Sequence, residues 1–106
     1  MDVTKNINDG MLDNYLDGLV NKFFKILPMK ESNESSLYEY IDSLQVELIG
    51  CKGVINSLHD DAMWLTLISI LQYLREEECE TKVVKREVFK AISLCKKLRK
   101  RYAEEL

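Results

Sequence analysis

Seven apolar residues beginning at Leu37 follow one another at steps of 4, 3, 4, 3, 4 and 3: Leu37, Ile41, Leu44, Leu48, Cys51, Ile55 and Leu58. At about 100° of rotation per residue those steps return every side chain to one narrow stripe, so the segment is predicted to be a helix with an apolar seam like that of a coiled coil. The same steps join Leu12, Leu16, Leu19, Phe23 and Ile26 upstream, and Val84, Val88, Ala91, Cys95, Leu98 and Tyr102 near the C-terminus. Helices with one apolar edge each must bury those edges against one another. Gly50 and Gly53 lie off the seam and lower helical propensity by roughly 1 kcal/mol each. A bend or a close-packed second face is expected there.

The stretch WLTLISILQYL, residues 64 to 74, is the most apolar in the chain. A spanning helix needs about 20 consecutive apolar residues; this run is 11 long, is interrupted by Thr66, Ser69 and Gln72, and is flanked by Asp60, Asp61 and REEECE. It is therefore predicted to be an amphipathic helix, the third of four in chain order. Trp64, Leu67, Ile68, Ile70, Leu71 and Leu74 cover about 160° of its surface, a wide arc for a bundle of 106 residues. Leu67 and Leu71 are expected in the core, and Trp64 and Ile68, toward the far edge, against a partner chain.

The helix boundaries follow from local chemistry. Pro28 is the only proline; the helix before it is expected to stop there, leaving 28–35 as a linker. Ser36 and Glu39 form an S-x-x-E capping box for a helix starting at Leu37. Asp60 or Asp61 is the expected cap of the third helix and Thr81 of the last one. Residues 1–8 are expected to be flexible. With 4 glycines and 1 proline, the chain is poor in turn residues. The expected fold is all-α, an antiparallel bundle of about four helices in a single domain, 1–106. A hydrophobic share of 46% fills such a core without a metal or disulfide.

Net charge is −3, unevenly spread: residues 1 to 81 hold 6 Lys and Arg against 15 Asp and Glu, a net −9, and residues 82 to 106 hold 9 against 3, a net +6. Lys85, Arg86, Lys90, Lys96, Lys97, Lys100 and Arg101 fall opposite the Val84–Tyr102 seam. The leading expectation is a solvated face, with its cations favoured by the helix dipole and the acidic helices nearby. The sharper alternative is nucleic-acid binding through Lys90, Lys96, Lys97, Lys100 and Arg101, since clustered cations release counterions from phosphates. Against it stand an acidic chain, no recognition motif and no aromatic interleaved for base stacking. A third reading docks the face on an acidic protein surface.

Catalytic patterns are sparse. His59 is the only histidine, and the HDD it begins reads as a helix end followed by a cap rather than a metal site or general base. Cys51 and Cys95 sit on seams as small apolar residues, Cys79 lies in an acidic turn, and no C-x-x-C pair is present, so neither zinc nor a disulfide framework is expected. EEECE lacks the glycine and alternating ligands of a calcium loop. There is no phosphate-cradling loop, serine elbow or H-E-x-x-H pair. No enzyme activity and no cofactor are expected. The N-terminus lacks the basic start and apolar core of a signal peptide, which with three unpaired cysteines predicts a cytoplasmic location.

Aromatics remain. Trp64, Tyr38, Tyr40, Phe24 and Tyr73 lie beside the seams, as peripheral core or as binding hot spots. In the FF and Y-x-Y pairs at most one ring can point straight inward. The functional expectation is a non-catalytic interaction module or accessory subunit, self-association included, that binds a protein through Trp64, Ile68, Tyr73, Tyr38 and Tyr40.

Overall fold

The computed structural model describes the backbone of residues 3–55 and 58–105 and the side chains of 12–55 and 58–101. It holds α1 (Val3–Phe24), α2 (Ile26–Glu31), α3 (Leu37–Val54), α4 (Ala62–Glu76) and α5 (Thr81–Glu105), with no strand among the described residues. α1 and α2 are one arm broken once, so the molecule is an all-α bundle of four arms.

The break lies upstream of the proline. Pro28 has no N–H to offer the Phe24 carbonyl and its ring crowds that oxygen, so the helix is interrupted at Lys25 and resumes. Lys25 N–H still donates to Asn21 O at 3.0 Å, and Met29 N–H reaches Lys25 O at 3.4 Å. Pro28 then falls in the first turn of α2, where backbone N–H groups have no intrahelical acceptor in any case. The expected stop at Pro28 is thus corrected to a kink, and the 28–35 linker shrinks to 32–36. α2 closes with Asn33 in the left-handed region, φ 52°. Asn33 N–H donates to Lys30 O at 3.1 Å and Glu34 N–H to Met29 O at 3.0 Å, the paired bonds of a Schellman ending. Of the stretch 1–8 expected to be flexible, residues 1 and 2 lie outside the described residues and the backbone from Val3 is helical.

The caps divide. Asp61 has the extended backbone a capping residue needs, and its carboxylate accepts Trp64 N–H at 3.0 Å. Ser36, with φ −86° and ψ 2°, makes no side-chain cap bond: the chain enters α3 through a turn in which Leu37 N–H donates to Glu34 O, and a hydroxyl cap needs extended backbone. The capping box does not form. At α5 the Glu80 carbonyl accepts from Val83 and Val84 N–H, both at 3.0 Å, so Thr81 is the first helical residue and not the cap.

The seams meet in one apolar core. Every described seam residue is buried except Cys51 and Ile55, which are half-buried; the Tyr102 side chain lies outside the described residues. The Leu37–Leu58 seam is not one continuous helix, since α3 ends at Val54, Ile55 turns extended, and Leu58 returns to the core with its N–H on Ile55 O at 2.9 Å. A Cβ at Gly50 or Gly53 would meet nothing within 4 Å, so no second packed face exists there.

α5, about 37 Å long at 1.5 Å per residue, runs along α1 and also touches α2 and α4, while α3 packs chiefly on α4. Both principal pairs are antiparallel: Arg99 meets Asp13 and Asp17 while Phe89 meets Phe24, and Arg75 meets Asp42 while Trp64 meets Leu48. The result measures 48 × 21 × 20 Å. Among the described residues no helix is long and apolar enough to cross a membrane.

Candidate functional site

Trp64 is the first of the expected partner residues, and it is fully buried. The Asp61 cap sets the start of α4 so that the indole enters the core, where Nε1–H donates to Leu48 O at 2.9 Å and the Tyr15 ring stands 6.3 Å away. This corrects the expectation: α1 covers the edge of the arc that α3 leaves open. Ile68 is half-buried over the core, and its carbonyl accepts from Gln45 Nε2 at 3.5 Å. Tyr40 is also half-buried and donates its hydroxyl to Lys22 O at 2.8 Å, with the Lys25 ammonium 5.4 Å from its ring. Tyr38 and Tyr73 are exposed; Arg75 lies over the Tyr38 ring at 5.2 Å. The five residues therefore form no common surface.

A different apolar face is open. Val46, Ile49 and Val54 on α3 are 68%, 51% and 74% exposed, and Leu65 on α4 is 41% exposed. Val46, Ile49, Gly50 and Gly53 occupy the side of α3 opposite the Leu44–Leu48 seam. The two glycines leave bare backbone between the branched side chains. Sequence reasoning passed over this face because the seam on the same helix is so regular; the signal present was the spacing of Val46, Ile49 and Gly53 at steps of 3 and 4.

Between α1 and α3 lies a polar clamp. The Tyr15 hydroxyl donates to the Glu47 carboxylate, and Lys22 Nζ holds the same oxygen at 2.7 Å. Burial pushes the Glu47 carboxyl up, but the bonds from Lys22 and Tyr15 and the charge of Lys22 outweigh it and hold the group below its usual range. Burial, then the bond to Glu47, drives the Tyr15 hydroxyl well above its usual range. A groove of about 360 Å³ opens beside the clamp, lined in part by Lys25, Tyr40 and Ser43. A general base or acid works best with a pKa near the operating pH, and these two groups are moved away from it in opposite directions. The clamp fastens α1 to α3.

His59 and Asp60 are exposed in the turn between α3 and α4, and Asp61 is the buried carboxylate beside them, engaged by Trp64 N–H and Arg101. No group of three or more His, Cys, Asp or Glu residues among the described residues could hold a metal ion.

On α5, Lys90, Lys96, Lys97 and Lys100 are exposed as expected. Arg101 is not part of that face: it pairs with the buried Asp61 carboxylate and ties the end of α5 to the start of α4. Arg99 takes Asp13 at 3.1 Å and Asp17 at 3.0 Å. Phe89 corrects the expectation that no aromatic is interleaved, since it lies 45% exposed among the lysines with Phe24, 51% exposed, in edge contact.

Comparison of the chain with protein-family models, curated proteins and solved structures gives no match.

Proposed function

We propose that this chain is a non-catalytic protein-interaction module, an accessory subunit by type, whose docking face is the outer side of α3 with the adjoining edge of α4. The observation that carries the reading is the exposure of Val46, Ile49, Val54 and Leu65 around two glycines with open space above them. Covering apolar surface contributes about 25 cal/mol per Å², and bare glycine backbone lets a partner helix approach closely. None of these side chains is needed by the chain's own core. Three free cysteines, one of them buried, agree with a reducing, cytoplasmic setting.

Capture experiments in the native host, comparing wild type with the Val46→Glu/Ile49→Glu double variant, test the proposal. Both sites are exposed, so circular dichroism should show the fold intact. A protein retained by wild type and lost by the variant is the expected result, and light scattering identifies the case in which that protein is a second copy. Equal capture by both forms removes the α3 face as the docking site.

A further inference from the structure

We propose that the solvent side of α5 binds single-stranded nucleic acid, with Phe24 and Phe89 as the stacking platform and the surrounding lysines as phosphate contacts. The two rings are about half exposed and stand edge to face, centroids 6.4 Å apart and planes at 71°. Lys82, Lys85, Lys90, Lys96, Lys97 and Lys100 are all exposed, and none has an ion-pair partner among the described residues. On the helical wheel Phe89 falls near the middle of the arc these lysines span. Lys82 and Lys100 lie about 27 Å apart along the axis, room for several nucleotides.

Three of the carboxylates beside this face are already engaged by arginines: Arg99 takes Asp13 and Asp17, and Arg86 takes Glu87. Among the described residues the lysines have no such partner. An acidic peptide would satisfy them and leave the rings wet, whereas an apolar segment would cover the rings and strand the cations. A single strand supplies both a line of phosphates and free base faces, which stack on aromatic rings. In a duplex the bases are stacked on one another and closed to the rings. This face shares no residue with the outer side of α3, so either proposal can fail alone.

Fluorescence anisotropy with a labelled oligothymidylate of about 20 nucleotides, and with a duplex of equal length, provides the test. The single strand should bind more tightly than the duplex. Its affinity should fall about 50-fold between about 50 and 200 mM salt, the slope for about four neutralised phosphates. Phe89→Ala should weaken binding by roughly 5- to 100-fold with the salt slope unchanged. The Lys85→Glu/Lys96→Glu variant should weaken binding and flatten the slope. Phe89→Trp should keep the affinity and show quenching of the new indole by stacked bases. All these positions are exposed, and circular dichroism confirms folding. No binding at about 50 mM salt, a duplex bound as well as the single strand, an unchanged Phe89→Ala, or equal competition by polyglutamate each overturns the proposal.

Discussion

The indole of Trp64 meets the Leu48 carbonyl at 2.9 Å inside the core, so this residue combines a large buried apolar surface with a satisfied polar atom. Trp64→Ala should cost about 3–5 kcal/mol, close to the roughly 2–5 kcal/mol expected of Leu67→Ala and Leu71→Ala, because each leaves a cavity as well as losing transfer energy. Trp64→Phe retains most of the ring and loses the donor, at about 1–2 kcal/mol. Tyr73→Ala, at an exposed site, should stay within about 0.5 kcal/mol. Urea unfolding of the four alanine variants and Trp64→Phe checks the ranking; a Trp64→Ala protein as stable as Tyr73→Ala would show that the indole is outside the core.

At the scale of the element, the turn after α2 sets the angle at which the chain enters α3. Its ending depends on Asn33 at φ 52°, a conformation that costs an ordinary L residue roughly 1–2 kcal/mol. Asparagine tolerates it and glycine does so without steric penalty. Asn33→Ala should therefore lose about 1 kcal/mol, while Asn33→Gly should be neutral within a few tenths. Thermal melts of the two variants distinguish this from a simple loss of the asparagine side chain, which would lower both equally.

For the whole molecule, ionisable groups in and around the core make stability depend on pH at both ends. Burial pushes the Cys95 thiol up to about 12 from an ordinary 9.0, and the Tyr15 hydroxyl is also raised, by burial and then by Glu47. The unfolded chain ionises these groups first, so their contribution is intact below the unfolded values and is lost as pH rises beyond about 9. Glu47 has the opposite sign: held below 4.5 in the fold, it is protonated first in the unfolded chain, and stability falls as pH drops through its folded value. Urea midpoints should be flat near neutrality and decline on both sides. Cys95→Ala should lower the plateau through its cavity and flatten the alkaline decline. An alkaline decline equally steep in the variant would assign it elsewhere.

The helices and the core were legible in the sequence because each is set by periodicity within one segment: a stripe at steps of three and four is apolar or it is not, whatever lies next to it. Leu44, Leu48, Leu67, Val88 and Leu98 could be placed that way. Residues flanking a stripe could not, because their burial depends on the rotation of the helix and on a neighbour distant along the chain. Trp64 is covered because Tyr15 stands over it, Glu47 is held by a hydroxyl 32 residues away, and Arg101 is drawn from the basic face by Asp61. Packing also left Val46, Ile49 and Phe89 in solvent. The sequence by itself determined which stripes would pack; only the tertiary structure decided which of the remaining side chains are open to a partner, because exposure is a property of neighbours and not of a residue.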